Sequence, residues 1–298
     1  MKEETISLRE SLSKIVMEHH EKPVISAYEI NWYLYELYRD KKFNGLKIGK
    51  ITADEPDYRV VGDATFHLLR KGIISKCVDG VVYYINNKDK PSAQQVVCSI
   101  NPCSYISYIN AMEWHGITDR IPSEVHVTMS TPRYLKEYFS LKIKESFPLI
   151  KNKTFLIPQL VSSIPIYDGK KIIFHKKTDF KIKNEQFASG GIRVTNIGET
   201  FLDMLKFPEY CGGFNHVVSV FEGFAEKYLP IIVKEFSKNG NSMDKARAGY
   251  ILEDICGLTH KGIDSWADSV QRGGSRKLIA SEPYSNVFSE RWCISINM

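Results

Sequence analysis

The chain has 298 residues, room for one large domain or two ordinary ones, and its 43% hydrophobic and 25% charged composition excludes a disordered, collagenous or coiled-coil protein. Its longest apolar runs, such as Tyr228 to Val233, fall far short of the ~20 residues a bilayer needs, and the charged start Met1-Lys2-Glu3-Glu4 has no apolar leader segment, so a cytosolic protein that does not enter a membrane is expected. A net charge of +5 is too mild to select a partner, and six cysteines without a C-x-x-C pair argue against a disulfide scaffold or a zinc ribbon.

Along the chain, Leu8, Leu12, Ile15 and Val16 recur at helical spacing. Ser26 is placed to cap a second helix from Ala27 to Tyr38, ending near Asp40. A third helix is predicted over Tyr58 to Lys71, with Val61, Ala64, Leu68 and Leu69 on one side and Gly72 as its stop; Gly62 would let it start as late as Asp63. Two β-branched runs, 73–78 and 81–85, then meet at Asp79-Gly80, the strongest short-range hairpin signal. The polar stretch 86–95, with Pro91, reads as a linker, which divides the chain into domains 1–92 and 93–298, each expected to fold alone.

Beyond it the pattern is of the α+β kind. Ser104 to Trp114 reads as a helix ending at His115-Gly116, and Glu124 to Ser130 alternates as a strand. Strands are predicted at Thr154 to Ile157, Lys171 to His175 and Gly191 to Thr195. Helices follow from Ile197 to Leu205, Phe214 to Phe236 with Pro230 bending or ending it, and Met243 to Ile255, before a closing strand at Arg291 to Asn297.

Three helices followed by a hairpin are the layout of a winged helix-turn-helix, in which the last helix enters the major groove and the hairpin is the wing. With Val61, Ala64 and Leu68 inward, the outer face presents Tyr58, Arg59, Asp63, Phe66, His67, Arg70 and Lys71. Arg59 and Arg70 would reach base edges or phosphates, and His67, Lys71 and the wing residue Lys76 the backbone of double-stranded DNA. Residues 1–90 hold fifteen bases and fourteen acids, but 1–40 are acidic by three and 41–90 basic by four. A helical module of this layout used only for docking proteins is the alternative.

Charge concentrates again between Arg133 and Lys183, where twelve basic residues face four acidic ones. Lys142, Lys144, Lys151, Lys153, Lys170, Lys171, Lys176 and Lys177 are read as a basic face for DNA or a protein partner, against the alternative of a solvated face.

Three segments carry a resemblance: Ser104-Tyr-Ile-Ser-Tyr-Ile-Asn-Ala-Met-Glu-Trp-His115-Gly-Ile-Thr-Asp-Arg-Ile-Pro122, Ile192-Arg-Val-Thr-Asn-Ile-Gly-Glu-Thr-Phe-Leu-Asp-Met-Leu205, and Ala248-Gly-Tyr-Ile-Leu-Glu253. In this order, behind a winged helix, they resemble the AbiE-type (AbiEi-like) antitoxin family of type IV toxin-antitoxin systems, which act in abortive infection against phage. Gly198-Glu199-Thr200 stands where that family usually has Glu-Arg-Thr. The resemblance implies a DNA-binding transcriptional repressor of its own promoter, acting at inverted repeats. It also implies an antitoxin function in the second domain, which counteracts a nucleotidyltransferase-like toxin, and no catalysis, cofactor or metal in this chain.

An enzyme reading competes with it. Asp168, then Asp179 and Lys181 eleven and thirteen residues on, imitate the acid, acid-x-lysine spacing with which metal-dependent nucleases hold Mg²⁺. The adjacent pair His19-His20 points to different sides of a helix, poor metal geometry, and His115 is placed to cap helix carbonyls. Gln271 to Lys277, with Gly273-Gly274 among Arg272, Arg276 and Lys277, reads as a tight turn or a phosphate nest.

Overall fold

The computed structural model describes residues 4–78, 80–149, 155–164, 166–182, 189–270 and 276–298. It is mixed α and β, and divides into two compact units, 1–105 with 127–193 and 106–126 with 194–298. Among the described residues, no helix is long and apolar enough to cross a membrane.

The first unit begins with β1 (Thr5–Ile6), α1 (Leu8–Lys14), which relaxes into a π-turn at Ile15–His19, and β2 (Val24–Ser26). Next comes α2 (Ala27–Asp40), opened by a complete capping box in which the Ser26 hydroxyl accepts from Glu29 N and the Glu29 carboxylate accepts from Ser26 N. Its stop is Lys41 in the left-handed region. A small hairpin, β3 (Lys42–Phe43) and β4 (Leu46–Ile48), turns through Asn44 and Gly45, both with positive φ, a pairing the sequence reading passed over because each flanking strand is so short. Helix α3 (Tyr58–Arg70) starts at Tyr58 rather than Asp63, because the Asp57 carboxylate accepts from the Arg59 and Val60 amides and offsets the helical cost of Gly62. Strands β5 (Ile74–Val78) and β6 (Val82–Ile85) form the expected hairpin, with Gly80 at positive φ; Asp79 lies outside the described residues. β2 adds antiparallel to β6, giving the order β2-β6-β5.

The boundary expected at residue 92 does not coincide with the edge of a unit. The polar stretch supplies caps: Ser92 opens α4 (Ala93–Ile100) with a second capping box, and Asn86 donates to the Gly72 carbonyl. The deeper reason is α2, which is apolar on two sides. Ile30, Leu34 and Leu37 pack with Leu12, Val16, Ala64 and Leu68, whereas Tyr28 and Tyr35 pack with Leu135, Phe139 and Phe155. Each such side chain contributes about 1.5–3 kcal/mol when buried. A third cluster joins Val24 and Val82 to Val96 and Ile100. Residues 1–92 therefore hold one cluster of their own but leave Tyr28, Tyr35, Val24 and Val82 to be covered by residues beyond 92.

β7 (Ser104–Ile106) and a shorter α5 (Tyr108–Trp114) replace the single helix expected over 104–114; the C-terminal stop is as read, with Gly116 at φ +64°, but the His115 side chain does not cap the helix carbonyls and donates instead to Thr195 O. β8 (Glu124–Met129) follows, then α6 (Pro132–Ser146), capped by Thr131 and burying Leu135, Phe139 and Ile143. This helix was missed because the basic residues around it drew the reading to charge. Residues 155–157 lie in no strand, and Thr154 is outside the described residues. β9 (Ile166–Tyr167) and β10 (Lys170–Lys176) pair antiparallel in a sheet ordered β7-β8-β10-β9.

The second unit is mainly helical: α7 (Ile197–Lys206), α8 (Phe214–Asn239), α9 (Ser242–Tyr250) with a π-turn at Ile251–Ile255, α10 (Lys261–Ser269), and a short pair β11 (Phe288–Ser289) and β12 (Ile294–Ser295). Pro230 neither ends α8 nor divides it. In place of the strand expected at 191–195 there is one bridge, Ile106 to Val194. Gly198, the departure from the family pattern, has a packing reason: a Cβ there would meet Glu235 Cβ at 3.0 Å and Ile231 Cγ2 at 3.1 Å, so its absence lets α7 lie directly on α8.

Candidate nucleic-acid interface

Helix α3 has one inward row, with Ala64 and Leu68 buried and Val61 half-buried. The rest of its surface is turned outward. Tyr58 is 67% and Phe66 64% exposed, and Arg59, Asp63, Arg70 and Lys71 are exposed, while His67 is half-buried. Arg59 lies over the Tyr58 ring, its guanidinium 5.8 Å from the centroid, and donates from Nε to the Tyr58 hydroxyl at 3.3 Å. Among the described residues it makes no ion pair with an acid. Arg70 and Lys71 likewise make no ion pair among the described residues. Lys76 stands exposed on β5 opposite Tyr83, in the same hairpin.

The sequence reading missed Arg9. It is exposed on α1, and with Lys71 and Arg70 it depresses the pKa of His67, after burial, the larger cause. The fold thus brings a fourth cation to the α3 surface from almost fifty residues away. Nothing in the local sequence around Arg9 signals this, because the proximity is tertiary.

The expected basic face between residues 133 and 183 is not assembled as one surface. Lys142 and Lys144, two positions apart on α6, point about 200° from one another around the helix. On β10, Lys170 and Lys176 share one side and Lys171 takes the other, because side chains alternate along a strand. Lys142 turns its ammonium over Trp32, 5.2 Å from the ring centroid, and Lys177 donates to the Tyr105 hydroxyl at 3.3 Å. Lys144 is exposed. Lys151 and Lys153 lie outside the described residues, as does most of the Gln271 to Lys277 loop.

Asp168 and Asp179 do not converge. They flank the two ends of the seven-residue β10, about 20 Å of extended chain at 3.3 Å per residue, too far to share one ion. Asp168 is instead paired with Lys90 at 2.6 Å.

The histidines serve the fold. His20 is buried; its Nε2 donates to the Val24 carbonyl at 2.9 Å, so its Nδ1 accepts from the Tyr33 hydroxyl, also at 2.9 Å. Burial holds its pKa below the ordinary 6.5. Glu29 is nearby: burial opposes its ionisation, but Lys22 and the Ser26 amide hold its carboxyl at about 2. Both shifts act in one direction. Unfolding stability is expected to be full above pH 6.5 and to decline as pH falls, by up to about 1.4 kcal/mol per pH unit while the unfolded imidazole is protonated and the buried one is not. A second loss follows as pH falls from 4.5 towards 2 and Glu29 must be neutralised. Urea midpoints measured between pH 7 and 5 check this, and His20→Gln should flatten the first decline.

The three segments that carry the family resemblance are also buried in structural work. Asn110 donates to Glu124 O at 3.0 Å and accepts from His126 N at 2.7 Å. His115 Nε2 donates to Thr195 O at 2.6 Å, and the Thr195 and Thr200 hydroxyls pair at 3.0 Å. Asn196 caps α7.

No protein-family model matches the chain, and no curated protein matches it. Among solved structures it is similar to the RV2827C protein from Mycobacterium tuberculosis, with 11% identity and a TM-score of 0.48 over 95% of this chain and 88% of that one.

Proposed function

We propose that this chain is a DNA-binding repressor of its own operon and the antitoxin of a pair whose toxin is nucleotidyltransferase-like. The carrying observation is the outward face of α3, where Arg59, Arg70 and Lys71 have no acidic partner among the described residues and share the helix surface with the exposed rings of Tyr58 and Phe66. Such a face has no packing role to explain it, and its chemistry suits phosphate and base edges. The element order is the second support. Helix α1, strand β2, helix α2, helix α3 and the pair β5 and β6 come in the order of a winged helix, with the small hairpin β3–β4 inserted between α2 and α3; α3 would be the recognition helix and β5–β6 the wing. The antitoxin half of the reading rests on the three resembling segments. A protein with this job works in the cytoplasm, and one winged helix reads too few base pairs to be selective alone, so two copies on an inverted repeat are expected.

Anisotropy titrations of the operon's own upstream DNA test the reading. Arg59→Ala and Arg70→Ala should each cost about 1 to 3 kcal/mol and relax sequence preference. Arg9→Ala should weaken promoter and random DNA alike, flattening the log-log salt slope by about 0.9 if it neutralises one phosphate. Wild-type affinity in all three variants would remove α3 from the interface.

A further inference from the structure

A cavity of about 300 Å³ opens in the first unit beside α2, α4 and α6. Its walls are unusual in three respects. Three cations line it, Lys22, Lys142 and Arg193, against one carboxylate, Glu29, which is already taken by Lys22. Two further lining residues, Tyr28 (9% exposed) and Ser99 (5% exposed), carry buried hydroxyls with no hydrogen-bond partner. The remaining wall is aromatic, chiefly Trp32, Tyr138 and Phe139.

Positive charge is left over here. Lys142 makes no hydrogen bond or ion pair among the described residues; its ammonium touches only the rings of Trp32 and Phe139. Arg193 is buried and spends Nε and one face of Nη2 on three carbonyls, Ser104 O at 2.7 Å, Asn101 O at 3.0 Å and Cys98 O, while Nη1 makes no bond among the described residues. Burial depresses the pKa of Lys142, the mark of a cation held partly out of water without adequate compensation.

We propose that this cavity is a binding site for a small organic anion, a phosphate or carboxylate carried on a planar ring. The anion would lie between Lys142 and the Nη1 edge of Arg193, and the ring against Trp32 and Tyr138. A volume at the low end of the range for ligand pockets suits a mononucleotide or smaller. The site uses none of the α3 residues, so it stands or falls separately from DNA binding.

Calorimetry on the full chain, with Trp32 fluorescence as a second readout, tests it using adenosine monophosphate and benzoate as the two sources of such an anion, and adenosine and inorganic phosphate as the half-ligands. Saturable binding of at least one ring-bearing anion below about 1 mM is expected, with both half-ligands at least about 10-fold weaker. Lys142→Gln should weaken binding at least about 10-fold, the usual worth of a charge-assisted hydrogen bond, whereas Lys144→Gln should leave it unchanged. Whichever of the two anions binds tighter identifies the source. No saturable binding of either anion, equal binding of adenosine, or full affinity in Lys142→Gln would overturn the proposal.

Discussion

Replacing Gly249 with valine is expected to unfold the second unit, or to destabilise it by at least about 3 kcal/mol. A Cβ built on Gly249 falls inside the van der Waals envelope of the Trp292 ring, meeting three of its carbons, and Trp292 is wholly buried. The indole cannot retreat easily. Its Nε1 donates to Glu253 Oε2 at 3.1 Å, and the same oxygen accepts from Arg291 Nε at 2.6 Å. Gly249 and Glu253 both belong to one resembling segment, so the segment reads physically as a seat for this ring: a gap to receive its face and, one helical turn on, a carboxylate to receive its N–H. Trp292→Ala should itself cost about 3–5 kcal/mol, yet it removes the obstacle to a side chain at 249. The double variant Gly249→Val with Trp292→Ala is therefore expected to be clearly less destabilised than the two single losses combined. Thermal or urea unfolding of the three variants decides it, and strict additivity would show that the two residues do not oppose each other.

Arg193→Met is expected to cost the first unit about 3 to 5 kcal/mol. The guanidinium closes the C-terminal end of α4, where Cys98 O and Asn101 O have no intrahelical amide to accept, and continues to Ser104 O. Methionine fills a similar volume but leaves Cys98 O and Ser104 O without a donor, at about 1–3 kcal/mol each, offset in part because no charge is then buried; Asn101 O keeps the Ser104 hydroxyl at 2.6 Å. Arg193→Lys should recover little, since an ammonium on a flexible stem cannot span three carbonyls as a planar fork does. A methionine variant within 1 kcal/mol of wild type in urea denaturation would show that water replaces the guanidinium in the adjoining cavity.

Local chemistry was the part of this fold that could be read from sequence. Ser26 announced the start of α2, Gly72 and Gly116 the ends of α3 and α5, and Gly80 the β5–β6 turn. What could not be read was the second side of α2. Tyr28, Trp32 and Tyr35 recur at helical spacing as clearly as Ile30, Leu34 and Leu37 do, but nothing in residues 1–92 says that Phe139 and Phe155 will cover them. The polar stretch at 86–95 was therefore taken as a linker when it is a pair of caps. Helix α6 was hidden for a different reason, because its buried row of Leu135, Phe139 and Ile143 lies within a lysine-rich stretch. The outward α3 residues follow from helical periodicity alone; Arg9 beside His67, and the cavity assembled from residues 22–33, 98–102, 138–142 and 193, depend on long-range folding and have no local signature.

The central claim is that the outward face of α3 lies against duplex DNA, and site-specific photo-crosslinking tests it most directly. Phe66 is exposed on that face and supports no core, so a photoreactive phenylalanine analogue there should leave the fold intact. Ile121, still more exposed and in the second unit, is the control position. With the full-length chain bound to its own upstream DNA, position 66 is expected to crosslink efficiently, within the protected sequence, and position 121 hardly at all. A protein that binds this DNA yet crosslinks no better from 66 than from 121 would contradict the account.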